Sequence, residues 1–406
     1  MTKEKILILD STLRDGEQAP GAAMTPAQKV KIGCSLADLG VDVLEAGFAA
    51  SSSTDAQVIY RLSQLLPQRG VVVETLARCC PSDVQIAAQA LAPAIHQNAG
   101  QIRTFISTSD MHIKYKMQTT REEILKMIDA SIRYAKTFTD NVGWAGEDSS
   151  RADVNFLAEC VKTALAAGAK TIALCDTIGI LVDTQMQELM EQVRALVKAP
   201  DDIIFSVHCH NDKGLATANS LFGLKGGARQ VECCINGLGE RAGNAALEEI
   251  VMAIQSGPDR YPFTTNIKTD KLQAVSRMVA KFSGIPVCPN KAVVGSLAFS
   301  HASGIHQDGL IKAWKMNLDN MYGAINASDV GAKDKIVITR HSGVSGVLYV
   351  LQQQGLNPTD AEAHEVLRRV KNHRSGTKIF DSQKIVEMYR DVQGEFSQKA
   401  IILDKN

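Results

Sequence analysis

Eight short runs rich in β-branched and other apolar residues, each followed by a polar loop and then by a stretch of helical spacing, fill the first ~250 residues of the chain. The runs Ile6–Asp10, Val41–Phe48, Val71–Ala77, Ile102–Ser107, Asn141–Gly146, Thr171–Cys175, Ile203–His208 and Gln230–Ile235 read as strands. Between them the spacing predicts helices, among them 26–39, 54–66, 81–91, 121–138, 154–167, 184–197 and 215–224. A doubly wound open sheet competes, but eight repeats favour an α/β chain closed into a (β/α)8, or TIM, barrel. At 406 residues the chain exceeds one ordinary core. The expected division is a barrel over 1–256, a linker and subdomain completing the active site over 257–330, and a small helical C-terminal subdomain over 331–406, with helices at 268–282, 346–353, 359–374 and 382–393.

A barrel demands that chemistry cluster just after the strands, at one mouth. Ser11–Gln18 follows the first strand, Ala49–Ser53 the second and Thr108–Lys116 the fourth. Glu147-Asp148, Asp176-Thr177, His208/His210 and Asn236–Asn244 end the last four. His208 and His210, two apart on a strand, share a face. Together with Asp15 and Asn244 they make a mixed oxygen and nitrogen set suited to a divalent cation, with Mn, Zn and Mg all compatible. Taken alone, Asp15 reads equally as a helix cap or a salt-bridge partner of Arg14. Gly237–Gly243 has GxGxxxG spacing after the eighth strand, which predicts a tight turn presenting Asn244 rather than a phosphate loop. His112, Lys114 and Lys116 suggest a solvated face or a CoA phosphate contact, and the solvated face is the expectation.

Composition narrows the partners. The formal net charge is zero, so no broad basic footprint argues for nucleic acid. No apolar run approaches ~18 residues, so no membrane span is expected. The N-terminal apolar run is too short for a secretory signal. Nine scattered cysteines without a CxxC fit reduced thiols in a cytoplasmic protein. There is no GxSxG elbow for a serine hydrolase.

The motifs DSTLRDGEQAPGAAMT, EAGFAASS, HIKYK, GEDSSR, CDTIG, SVHCHNDKGLATANSL, ARQVECCINGLGERAGNAALEEIVMAI and SGIHQDG resemble those of the 2-isopropylmalate synthases. These belong to a metal-dependent barrel superfamily with homocitrate synthase, citramalate synthase and hydroxymethylglutaryl-CoA lyase. The match runs from residue 6 to about 310 and weakens thereafter. The resemblance implies a Claisen condensation of acetyl-CoA with a 2-oxo acid. Asp15, His208 and His210 would be metal ligands, with Asn244 a further or water-mediated one. Arg14 would stabilise the ketone oxygen as it becomes an alkoxide. Glu147 would hold the acidic position, and His306 and Tyr322 would reach a partner subunit's mouth in a homodimer with shared active sites. An acyl-CoA lyase and a catalytically dead sensor are the competing classes; SGIHQDG and the intact site residues argue against them. The leucine-binding domain that many such enzymes carry would have no room before Asn406, so no leucine inhibition by that route is expected.

Departures from the family pattern fall on the substrate side. Gln18 and Arg103 are expected to line the pocket, the latter where the family usually has His. Gly143, Ala145 and Glu147 share one face, as do Ala173, Cys175 and Thr177. The usual pattern has Glu and Ser at the first two positions, then Asn and Pro at Ala173 and Cys175. Smaller residues there predict a roomier pocket, with phenylpyruvate giving 2-benzylmalate as the natural bulky candidate. Ordinary 2-isopropylmalate synthase, using 2-oxoisovalerate in leucine biosynthesis, is the alternative.

Overall fold

The computed structural model describes residues 3–318, 321–373 and 379–403. Eight parallel strands close into a barrel. They are β1 (Leu7–Asp10), β2 (Val43–Glu45), β3 (Val72–Arg78), β4 (Gly100–Ser107), β5 (Val142–Glu147), β6 (Thr171–Asp176), β7 (Ile204–Cys209) and β8 (Gln230–Cys233). Each pairs with the next, and β8 closes on β1 with Leu7 opposite Gln230. Helices α1 (Pro26–Leu39), α2 (Ser53–Leu65), α3 (Pro81–Ile95), α4 (Arg121–Lys136), α5 (Val154–Ala167), α6 (Gln185–Val197), α7 (Ala216–Lys225) and α8 (Leu247–Ser256) alternate with the strands. Their ends follow local chemistry. Thr25 and Gln28 form a reciprocal capping box at α1, with Pro26 in the first turn, and Gly40 ends the helix at φ 102°. Asp153 caps α5 through the Phe156 amide.

Two expected elements differ. The second strand is only Val43–Glu45, because Ala46 onward turns into the loop over the mouth. The segment after β4 is not an open loop: His112–Met117 forms one widened, π-type helical turn, closed by Gln118 at φ 53°.

By its contacts the chain forms two compact units, Met1–Val287 and Cys288–Asn406, where the sequence suggested three segments. The first unit passes residue 256 because the chain beyond it returns to the barrel. Phe263–Thr264 pairs with Glu4–Lys5, and α9 (Leu272–Ser283) is pinned by reciprocal hydrogen bonds between Ser276 and Asn236. In the second unit the division expected at 330 is bridged by Ser300–His301, which pairs with Lys335–Ile336. That unit holds α10 (Gly304–Lys315), α11 (Val344–Gln353), α12 (Asp360–Lys371) and α13 (Ser382–Leu403). Its core is built from Val347, Leu351, Val366, Phe380, Ile385 and Val392. Arg374, the expected end of one helix, lies outside the described residues.

Candidate active site

The ends of the barrel strands enclose a cavity of about 290 Å³. On one side, β7 and the bridge just beyond it carry His208 and His210, whose Nε2 atoms lie 3.2 Å apart. Asp15, on the loop after β1, places Oδ2 3.7 Å from each of them. Donor atoms of these three buried residues all lie within 4.8 Å of one another, and among the described residues no other group of His, Cys, Asp or Glu does so. Asn244 donates from Nδ2 to Asp15 Oδ1 at 2.7 Å, so the amide holds the carboxylate in place. The glycine turn before it has the expected role. A Cβ at Gly239 would stand 2.0 Å from Asn244 Nδ2 and 2.8 Å from Asp15 Oδ1, so only glycine admits this approach.

The electrostatics suit a cation. Burial favours protonation of Asp15, but Arg14, His208 and His210 outweigh it and hold the carboxyl well below the usual range. Burial and the neighbouring His208 push His210 down to about 4, which leaves its ring neutral at pH 7. For His208 burial works the other way from its partners, and Glu232 and Asp15 raise it. Two imidazole nitrogens facing each other beside a carboxylate, with Asn244 Oδ1 buried and unpartnered, form a donor set short of one shared positive centre. The residues therefore fit a divalent metal ion.

Arg14 joins this cluster to a second carboxylate. Its Nη1 donates to Asp15 Oδ2 at 2.7 Å and its Nε to Glu45 Oε2 at 2.8 Å. Ser11 also donates to Glu45. Across the cavity, Glu147 Oε2 accepts from Ser107 at 2.8 Å and Oε1 from Lys116 Nζ at 2.5 Å. His112 Nδ1 stands 3.5 Å from Glu147 Oε1. Lys116 is thus no plain solvated residue: the widened turn directs it into the mouth, while Lys114 leans on the exposed Tyr115 ring.

Of the expected pocket residues, Gln18, Arg103, Ala145, Cys175 and Thr177 line the cavity; Gly143 and Ala173 do not. Ala173 packs beneath Ala145, Cys175 and Phe105. Gly143 faces the Arg103 side chain: a Cβ added there would stand 3.6 Å from Arg103 Cγ and Nε and 3.2 Å from Gln101 Nε2. The volume its small size frees is filled by that arginine, not by open cavity. Arg103 itself is fully buried. Its Nε donates to Glu74 Oε1 at 2.8 Å and its Nη1 to Glu232 Oε1 at 2.9 Å. Its Nη2 is buried without a hydrogen-bond partner among the described residues, although Arg103 lines the cavity. Thr177 accepts the Asp148 amide at 2.8 Å.

His306 and Tyr322 belong to the second unit, where their rings stack with centroids 4.2 Å apart. Sequence reasoning overlooked Glu45, Glu74 and Glu232. Each is a lone carboxylate within an apolar strand, a placement that calls for a buried partner.

The similarity to known proteins has the same outline. The HMGL-like family model matches residues 5–279, and the homocitrate synthase post-HMGL domain-like model matches 293–378. The 2-isopropylmalate synthase of Syntrophus aciditrophicus is 42% identical over 392 residues, covering 96% of this chain and 74% of that protein. The 2-isopropylmalate synthase of Burkholderia cenocepacia is 44% identical over 386 residues, covering 94% and 73%. Among solved structures, hydroxymethylglutaryl-CoA lyase from Pseudomonas aeruginosa superposes with a TM-score of 0.59 at 19% identity, over 71% of this chain and 96% of that one. The HMG-CoA lyase from Brucella melitensis gives 0.57 at 21%, over 69% and 99%. At that identity the likeness speaks for the shared barrel alone. No described helix is long and apolar enough to cross a membrane. With the barrel, the Asp-His-His cluster and relatives above 40% identity in agreement, the chain belongs to the HMGL-like family and, within it, to the 2-isopropylmalate synthases.

Proposed function

We propose that the protein condenses acetyl-CoA with a 2-oxo acid. The methyl carbon of the thioester loses a proton and bonds to the ketone carbon. The ketone oxygen becomes a hydroxyl, and water cleaves the thioester to give a 2-substituted malate and free CoA. The observation that carries this reading is the buried Asp15–His208–His210 cluster with Arg14 beside it at the mouth. A divalent ion held by those three residues, with Asn244 in support, would polarise the ketone as a Lewis acid.

The chain's own groups supply the rest. Arg14 donates toward the oxygen as charge develops on it. Glu147, held by Ser107 and Lys116, serves proton movement at the cavity wall together with His306 and Tyr322. The latter two act from a partner copy, so the working enzyme is a homodimer with shared sites. Mixing His208→Ala with His306→Ala subunits should restore part of the activity that each lacks. No recovery after proven subunit exchange would make each chain self-contained.

For the 2-oxo acid, the relatives' name supports 2-oxoisovalerate, giving 2-isopropylmalate. A bulkier acid such as phenylpyruvate is the second reading, favoured by the small Ala145 and Cys175 beside Phe105. Thiol release from acetyl-CoA with a panel of 2-oxo acids decides between them through kcat/KM. No CoA release with any of them would sink the condensation itself.

A further inference from the structure

The buried charges below the mouth are arranged around one carboxylate. Glu232 lies on β8 opposite His208 in the strand register. Its Oε1 accepts from Arg103 Nη1 at 2.9 Å and from Ser206 Oγ at 2.9 Å. Its Oε2 stands 3.3 Å from His208 Nδ1, within ion-pairing reach though short of full hydrogen-bond alignment. Three strands therefore fix this carboxylate: β4 through Arg103, β7 through Ser206 and His208, and β8 itself.

An imidazole whose Nδ1 faces a fixed carboxylate keeps its proton on that nitrogen and offers the Nε2 lone pair. His208 Nε2 is the atom that faces Asp15 and His210. Neither Nδ1 makes an aligned hydrogen bond among the described residues, and the difference is that Glu232 Oε2 stands 3.3 Å behind that of His208. One ring is anchored from behind and the other is not.

Arg103 is what makes the anchor possible. Arg103 Nη1 and Ser206 Oγ both donate to Glu232 Oε1, which leaves Oε2 turned toward the ring. Gly143 lies beside that side chain: a Cβ there would already be in van der Waals contact with Arg103 Cγ and Nε at 3.6 Å and tight against Gln101 Nε2 at 3.2 Å, so a larger side chain would compete with Arg103 for the same space. We propose that Glu232 is a positioning residue, which sets the proton of His208 so that its Nε2 faces the metal, and that Arg103, admitted by Gly143, holds Glu232 in that place. This rests on the mouth cluster being a metal site.

The experiment uses the full chain, stripped of metal by a chelator and titrated calorimetrically with Mn²⁺. It is paired with ¹⁵N-histidine NMR of the metal-free protein, in which His208 is assigned by its loss in His208→Ala. In the wild type His208 should carry its proton on Nδ1. In Glu232→Gln the ring should become a mixture of tautomers, and the Mn²⁺ dissociation constant should rise about 10- to 100-fold. Ser206→Ala, which removes one donor from the same carboxylate, should give a smaller shift in the same direction and carries the test if Glu232→Gln does not fold. A folded Glu232→Gln, or in its absence Ser206→Ala, with wild-type affinity and an unchanged tautomer overturns the positioning role. A wild type that binds no Mn²⁺ overturns the metal-site reading instead, and this inference with it.

Discussion

Two groups of charge share the inside of one barrel, and they differ in whether a cation is already built in between their carboxylates and donors. Deeper in the barrel, Arg103 is held between Glu74 and Glu232, and Ser206 adds a further donor. At the mouth, Asp15, His208 and His210 bring their donor atoms within 4.8 Å of one another, with Asn244 Oδ1 unpartnered beside them. Both groups are buried, so burial alone does not mark the reactive one. Unpartnered atoms do not mark it either, since Glu74 Oε2 and Arg103 Nη2 in the deeper group lack partners as Asn244 Oδ1 does; what marks it is three metal-type donors within 4.8 Å of one another, where the deeper carboxylates already have a cation between them.

The comparison can be broken most sharply from the deeper group. Arg103→Met leaves two carboxylates buried without their cation, and should cost about 3–5 kcal/mol of unfolding free energy, measured by urea denaturation of the metal-free protein. A near-neutral result would mean that the deeper group is no structural network. At the mouth, His208→Ala should lower kcat/KM about 10²- to 10³-fold or more while the melting temperature changes little. Retained activity in a protein that no longer binds metal would remove the mouth cluster from the chemistry.

Titration sharpens the contrast. Burial opposes ionisation of Glu232, yet Arg103 and His208 bring it down to about 2 from an ordinary 4.5. A depressed carboxyl stabilises the fold fully above its ordinary value, and this contribution is lost as pH falls from 4.5 through about 2. The urea midpoint of the metal-free protein should fall across that window, and less steeply in Glu232→Gln. Glu74 has the opposite sign, because burial raises it despite Arg103; its contribution weakens as pH rises above its ordinary value. Equal acid slopes in wild type and Glu232→Gln would contradict the assignment.

The smallest effects separate cavity wall from floor. Ala145→Val adds bulk to a residue that lines the cavity, and should lower kcat/KM for phenylpyruvate about 10-fold more than for 2-oxoisovalerate. Gly143→Ala points at Gln101 and Arg103 instead, and should leave the ratio between the two substrates unchanged. A shift in that ratio would show that the floor reaches the substrate after all.

Much of this is legible in the sequence alone. The eight strands are readable because parallel strands covered on both faces are nearly continuous apolar runs punctuated by polar loops. His208 and His210 are readable because residues two apart on a strand must share a face. Lys116 is not, since nothing in HIKYK says that its turn will widen. Gly143 misleads for a related reason: a small residue frees space, but only the tertiary structure tells which neighbour fills it. The reach of the first unit past residue 256 is hidden because the amphipathic pattern of α9 shows that one face is buried, not what covers it.

The widened turn at His112–Met117 has a consequence for how the site can be lost. A π-type turn carries one residue more than the α-helical turn it replaces. Removing one residue ahead of Lys116 would move Lys116 back one position along the turn, a rotation of about 100°. Lys116 would then swing from Glu147 toward solvent, with no change to Glu147, Ser107 or any strand. The ion pair across the cavity is thus encoded by the length of a segment as much as by its chemistry. A deletion there can cost a homologous chain the pair even where Lys116 and Glu147 are both kept.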